Sequence, residues 1–494
     1  MKPKLLILPF VLFAIGQSIG QTNLPSVLAC NEILTTSGSP YIADSTITIK
    51  PGCILTVNPG VEIRMAENTH LIVNGKVDFS GTAAQPIYIH AKDTTWGNIL
   101  LENTVTQKST FSYVIIENAR QNVNINQNPA AIYGINSTIE IKDCYFKNNL
   151  RCIYFYQCPN ALIKRCTLDS TNVGEKILGQ YCNGAVVDSS IFYFTHGDRD
   201  VIDFDASNNV TISNNRIYGG DDDGIDIGQC DSIGCNGVTI QGNYIFNMGN
   251  KGVSNGEYCI NINVNHNVIV GCKMGIGAKS GAHVIADHNT LYHNRLGINS
   301  YHHLNQIWGP GHLTITNCII SDSDTTWNVD PTAFLSVSYS LAEDTLLPGI
   351  GNIKGAPMFY SPALDPSGDF HLLITSAAID KGDPAFALDP DGSRTDIGRY
   401  YLNQNTSVQK LDQNAGFELI YPNPGNGNFT MRLIPDYKIN RLVVLDISGK
   451  AVQESEFFGS RTTYQIDLSS QAAGVYYLKL YGGSGISTQK VIVH

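Results

Sequence analysis

Charge is scarce in this 494-residue chain: Asp, Glu, Lys and Arg together make up 15%, well short of the roughly one quarter usual in soluble domains. Basic residues are the minority, 32 against 43 acidic, for a net charge of −11. That balance argues against a nucleic-acid partner and against an electrostatic hold on an anionic membrane. It also means that an acidic polysaccharide would be repelled unless a cation intervened. Beyond the run Leu5 to Ile15 no apolar stretch approaches the roughly 20 residues of a membrane-spanning helix, so no membrane span is expected. Long amphipathic helix patterns are missing, which excludes a helical bundle. No glycine-rich loop sits between a strand and a helix, and no nucleophile–His–Asp arrangement stands out, so phosphate-cradle and triad chemistry lack a basis in the sequence.

What is abundant is turn and strand material: 46 glycines, with many Asn, Ile and Val. A chain this long is either several domains or an elongated repeat with appendages. Met1-Lys2-Pro3-Lys4, the apolar run to Ile15 and small or polar residues to Gly20 have the three regions of a secretory signal, which places a leader at residues 1–20. All twelve cysteines follow it, in an exported chain where disulfides persist. Cys30 with Cys53, and Cys230 with Cys235, are the expected pairs.

The repeats can be laid over one another. Asn-Asn-Arg-Ile ending at Ile217, Gly-Asn-Tyr-Ile at Ile245, His-Asn-Val-Ile at Ile269 and His-Asn-Thr-Leu at Leu291 are copies of one turn-and-strand unit. The turn column runs Cys144, Cys166, Ser190, Asn215, Asn243, Asn267, Asn289, Cys318, at intervals of 22, 24, 25, 28, 24, 22 and 29 residues. That period suits one three-strand rung of a parallel β-helix whose buried Asn ladder satisfies turn backbone groups. A second column, Ile153, Ile177, Ile202, Ile225, Val253, Ile276 and Ile298, is expected to point inward. Its neighbours Tyr154, Leu178, Asp203, Asp226, Ser254, Gly277 and Asn299 then point outward. The fold class is all-β: a right-handed parallel β-helix over residues 21–402 with an N-terminal cap, a polar linker at 403–416, and a small β-sandwich at 417–494. In that sandwich Val443, Leu445 and Ile447 are expected on one face, with Val475, Tyr477 and Leu480 contributing to the core.

The outward residues carry the question of function. Rungs lie about 4.8 Å apart, so Asp203 over Asp226 and Asp200 over Asp223 bring like charges together, with Asp198, Asp205, Asp221 and Asp222 close by. Such a group shares a proton, binds a cation or encloses a basic group. Calcium, which takes several hard oxygen ligands, is the expected cofactor, with Asp198, Asp200, Asp203, Asp222, Asp223 and Asp226 as ligand candidates. Lys251 beside Asp223, and Lys279 further along, are the candidate bases. Weaker signals are a crowd of histidines (His283, His288, His293, His302, His303, His312) without zinc spacing, and Asp389-Pro-Asp-Gly392 with Asp396, which reads as a turn rather than a calcium loop.

Two resemblances follow. Tyr421-Pro-Asn-Pro-Gly-Asn-Gly-Asn-Phe429, Val443 to Lys450, Ile466 to Ser469, Ala473 to Leu480 and Lys490 to His494 look like the type A C-terminal sorting domain of the type IX secretion system. That implies engagement with the secretion machinery and a secreted or surface-attached product. The rungs resemble pectin-lyase-like β-helix enzymes. Against the polygalacturonase pattern the corresponding positions are Arg199-Asp200, Asp222-Asp223, Asn250-Lys251-Gly252 and Gly277-Ala278-Lys279. The pattern's His and Arg are missing, which counts against hydrolysis by that route. Resemblance to calcium-dependent polysaccharide lyases of the same fold implies aspartates holding calcium and Lys251 or Lys279, its pKa lowered by the ion, removing the C5 proton. Non-catalytic carbohydrate binding or surface adhesion is the competing class.

Overall fold

The computed structural model describes residues 20–120, 130–169, 174–303, 308–404, 417–433, 439–447, 449–456, 462–482 and 485–494. The expected leader (apart from Gly20) and nearly all of the expected linker lie outside the described residues. The chain divides into two compact units, 1–402 and 403–494.

In the first unit three long sheets of 15, 13 and 13 strands run side by side, with parallel pairing from rung to rung. One rung is Ile202–Asp205, Thr211–Ser213 and Arg216–Gly220; the next is Ile225–Cys230, Thr239–Gln241 and Tyr244–Met248. The inward column behaves as expected: Ile153, Ile177, Ile202, Ile225, Val253, Ile276 and Ile298 are all fully buried and aligned by register. Burial of one such side chain contributes about 1.5–3 kcal/mol, repeated at every rung.

The corners are held by side chains. Asn215, Asn243 and Asn267 each pass a backbone N–H to the Oδ1 of the next ladder residue, at 3.0, 2.9 and 2.9 Å. Ser190 joins this ladder above Asn215 and the Cys318 sulfur continues it below Asn289. The residue before each rung's ladder member adopts a left-handed backbone: Asn214 at φ 56°, Gly242 at 69°, His266 at 53° and His288 at 49°. Asn and Gly tolerate that conformation best, which explains the Asn-Asn and Gly-Asn pairs of the repeat.

Cys30 and Cys53 form the expected disulfide, but the Cys230–Cys235 pairing is incorrect. Cys235 is a buried thiol in a second corner ladder: its sulfur accepts the Ser207 N–H at 3.2 Å, and its own N–H points at the Cys259 sulfur at 3.2 Å. Cys230 ends its strand opposite Ile233. The sulfur that the short loop was expected to share is therefore turned into the core.

After the strand Phe334–Ser338 the chain changes course. The strands Phe359–Ser361 and Asp369–Leu372 pair antiparallel and, with Ala378 and Ile397, bury the outer face of the 15-stranded sheet at Val268, Val270 and Ile319.

The second unit contains a three-stranded sheet (Phe417–Tyr421, Asn428–Leu433, Thr463–Asp467) and a four-stranded one (Ala451–Glu456, Ile439–Leu445, Gly474–Gly482, Gly485–Val493). Its core includes Phe429, Met431, Leu442, Val444, Ile466, Tyr476, Leu478 and Leu480. Leu480 is in the core as expected, but the facing elsewhere is off by one residue: Leu442 and Val444 join that core, while Ile447 is 78% and Tyr477 40% exposed. A one-residue offset exchanges the two faces of a strand, and a run as uniformly apolar as Leu442 to Leu445 leaves that offset open in the sequence.

Candidate functional site

The strands Ile177–Gln180, Ile202–Asp205, Ile225–Cys230, Lys251–Asn255, Met274–Lys279 and Leu296–Tyr301 lie side by side in one 13-stranded sheet. Their first outward column reads Leu178, Asp203, Asp226, Ser254, Gly277, Asn299, as the alternation predicted. Toward the N-terminal side the column is apolar, with Tyr133 and Tyr154 stacked at 4.7 Å. The acidic residues begin where it ends.

Asp200 and Asp223 also share a position, since the Asp223 N–H donates to Asp200 Oδ1 at 3.1 Å. Asp200, Asp203 and Asp226 each offer an oxygen within 4.8 Å of the others, and so do Asp200, Asp222 and Asp223. The two groups differ in what is already bound. Asp223 holds the Lys251 ammonium at 2.9 Å and the Lys251 N–H at 2.7 Å, and Asp222 accepts from Asn250 at 2.9 Å. Asp203 Oδ1 and Asp226 Oδ1, by contrast, are buried with no hydrogen-bond partner. Asp198 is exposed and belongs to neither group, and Asp221 is exposed and accepts from the Gly197 N–H.

Burial is the main cause of the perturbed acidities. It pushes the Asp200 carboxyl well above the usual carboxylate range, helped by the charges of Asp226, Asp223 and Asp222. Burial does the same to Asp203, with Asp205 and Asp200 adding to it. Asp205 is pushed up to about 7 by burial, against a hydrogen bond from Gln180, and Asp223 to about 6 by burial and Asp226, against the Lys251 cation. Lys251 itself is pulled down by burial, but the Asp223 charge more than restores it, and the balance is upward. Lys279 is also driven upward: burial opposes its charge, and Asp226 and Glu257 outweigh burial. Within the chain alone both lysines are held as cations; the lowered base that the lyase resemblance implies is one lowered by a bound ion.

Three further features shape this face, of which the sequence reading did not single out Tyr301 or the glycines. Tyr301 pairs in register with Lys279 and its hydroxyl is raised by burial, with Lys251 and Lys279 opposing. Glu257 lies 3.8 Å from the Lys279 ammonium. Glycines open the face for the lysine stems: a Cβ on Gly256 would meet Lys279 Cε at 2.7 Å, and one on Gly277 would meet Lys251 Cδ at 3.0 Å. Stepping one rung on from Lys279 in register would have reached Tyr301. Further along the same sheet, Lys273 and Arg295 flank a depression of about 410 Å³ that also includes Met274, Leu296, Asn328 and one carboxylate, Asp324. Among the described residues neither cation pairs with a carboxylate.

Of the six crowded histidines, His283 and His312 stack at 4.3 Å and His293 bonds Asp322. Only His288 lies in a group with possible metal ligands, alongside His266 and Asp287. Asp389 and Asp396 spend oxygens on turn groups, Asp389 accepting from the Asp396 N–H and Asp396 from those of Asp380 and Leu402.

Comparison with known proteins accords with both units. Residues 130–296 match the right-handed β-helix region family and residues 419–494 the secretion system C-terminal sorting domain. A search of curated protein sequences gives no match. Among solved structures, the periplasmic alginate epimerase AlgG has a TM-score of 0.46 and 13% identity over 60% of this chain and 76% of that one. Pectate lyase Pel9A has a TM-score of 0.36 and 16% identity over 72% and 89%. The catalytic domain of a GH87 alpha-1,3-glucanase has a TM-score of 0.34 and 10% identity over 59% and 68%. Likeness at these levels leaves the activity to be argued from the site. The chain is a right-handed parallel β-helix protein that ends in a type IX secretion sorting domain, and it is secreted or attached to the cell surface.

Proposed function

We propose that the Asp203–Asp226 face takes up an acidic polysaccharide with the help of calcium and cleaves it by β-elimination. The observation that carries the reading is the pair of buried, unpartnered oxygens, Asp203 Oδ1 and Asp226 Oδ1, on adjacent rungs. A buried polar atom without a partner costs about 1–3 kcal/mol, and an all-oxygen donor set fits a hard cation. Asp200, Asp203 and Asp226 are the holding residues. Asp223 and Asp222 are already engaged by Lys251 and Asn250, and Asp198 stands apart. Bound there, calcium would supply positive charge for a substrate carboxylate and for the anion that develops when C5 loses its proton.

The chain's own residues do the rest. Lys273 and Arg295 attract the polymer to an otherwise acidic face. Lys251 and Lys279, with the Tyr301 hydroxyl between their charges, face the position of the sugar. Asp226, one of the holding residues, is also a carboxylate that keeps Lys279 protonated, so loading the site shifts Lys279 toward the free amine that proton abstraction requires. One observation favours a second reading, binding without chemistry: the Lys251 ammonium is paired with Asp223.

Ultraviolet absorbance of unsaturated uronate, followed on pectate, alginate and glycosaminoglycan with calcium and with chelator, separates these readings. Calcium-dependent product supports elimination. Binding with no product supports the second reading, and new reducing ends without unsaturation would replace both with hydrolysis.

A further inference from the structure

The 386–401 segment packs beside the corner that carries His266 and His288, and together they line an open cavity of about 340 Å³. This corner belongs to the rungs of the Asn ladder, away from the sheet that bears Asp203 and Asp226. We propose that the cavity is a second carbohydrate site, one that takes a single uronate unit without a metal ion.

The lining divides into three kinds of group. Arg399 and His266 supply cationic or donor character, and among the described residues neither the guanidinium nor the His266 ring has a hydrogen bond or ion pair. The guanidinium lies over the Tyr400 ring at 5.2 Å, a contact that uses its face and leaves its N–H edge to offer two parallel donors to a carboxylate. The three acidic members are already fixed by the chain: Asp287 accepts from His288 Nδ1 at 2.9 Å, Asp389 from the Thr395 hydroxyl at 3.3 Å and the Asp396 N–H at 2.9 Å, and Asp396 from the Asp380 and Leu402 N–H groups, each at 2.7 Å. Their remaining lone pairs accept hydroxyl groups. Phe386, edge-on to His288 at 5.3 Å, and Tyr401 supply apolar surface for the carbon face of a sugar ring. A ligand with one anionic group, several hydroxyl donors and an apolar face satisfies all three. The volume lies at the small-ligand end of the roughly 300–1,000 Å³ range of such pockets.

The same residues are poorly arranged for a metal. The His266 and His288 rings stack at 4.9 Å with 10° between their planes, so their in-plane lone pairs run side by side instead of converging. Both His288 nitrogens are engaged, Nδ1 by Asp287 and Nε2 by Thr395 at 3.0 Å.

The inference shares the acidic-sugar class with the proposed function but uses none of its residues, and the test keeps them apart. Calorimetric titration of the full chain with galacturonate and with glucuronate, in excess chelator and with galactose as the neutral control, should show uronate binding at least tenfold tighter than galactose. Arg399→Gln should weaken it at least tenfold and Arg399→Lys recover part of the loss, while Asp203→Asn with Asp226→Asn leaves it unchanged. If Arg399→Gln melts early, His266→Gln and Tyr401→Ala take its place. No uronate binding in chelator, equal binding of galactose, or full affinity in the folded Arg399 and His266 variants would overturn the proposal.

Discussion

Asp203 and Asp226 occupy the same register position on adjacent rungs, and each buries an Oδ1 that nothing in the described chain bonds. Like charges at rung spacing repel unless protonated or bridged. Asp226→Asn keeps the volume and removes one charge. Calcium affinity should fall at least tenfold by calorimetry, while the melting temperature in chelator rises. Unchanged calcium affinity would remove Asp226 from the ligand set.

Protons and cation compete for this face, and the sign of the competition is fixed by the raised acidities. Asp205 sits near 7 and Asp223 near 6, above their ordinary value, so the folded chain binds more protons than the unfolded one between about pH 4 and 7. Without calcium, stability should therefore fall as pH rises through that window, and calcium affinity should climb over pH 6–7. Melting curves and titrations at pH 5, 6, 7 and 8 would measure both. A calcium affinity flat across that range would contradict the coupling.

Lys251→Ala should abolish unsaturated product and leave calcium binding within a few-fold. It also strands Asp223, a buried carboxylate that loses its ammonium partner, and breaking such a pair costs about 3–5 kcal/mol. The double variant Lys251→Ala with Asp223→Asn should restore stability without restoring activity. Recovery of activity in the double variant would mean that Lys251 serves the fold and not the chemistry.

Asn243 donates to the Ile212 carbonyl at 2.9 Å and to Asn267 Oδ1 at 3.0 Å, and accepts from the Asn215 N–H at 3.0 Å. Asn243→Ala orphans buried groups on two neighbouring rungs and should destabilise the first unit by about 1–3 kcal/mol. Denaturant melts followed by fluorescence would read it. Loss of less than a few tenths would mean the ladder is not a stability element.

Removal of residues 417–494 should block export in the native host and leave the β-helix folded, because the second unit has its own core. Cell fractionation together with circular dichroism of the truncated chain would test both halves, and normal export of the truncated chain would contradict a sorting role.

The repeat columns were legible because a period set by rung length recurs in the chain itself: Asn215, Asn243, Asn267 and Asn289 can be aligned without coordinates, and their alignment carries Asp203 to Asp226 with it. The outward column from Leu178 to Asn299 was legible for the same reason, strand side chains alternating by two. The sorting-domain motifs were also legible as a string of turns and strands. What required the tertiary structure is everything that depends on a third dimension beyond the repeat. The direction of the lysine shifts follows from which carboxylate each ammonium reaches. Cys235 faces a thiol ladder instead of Cys230 because its corner turns inward. The cavity beside His266 and His288 exists because residues 386–401 return to them, a contact more than a hundred residues apart in the chain, which no local period encodes.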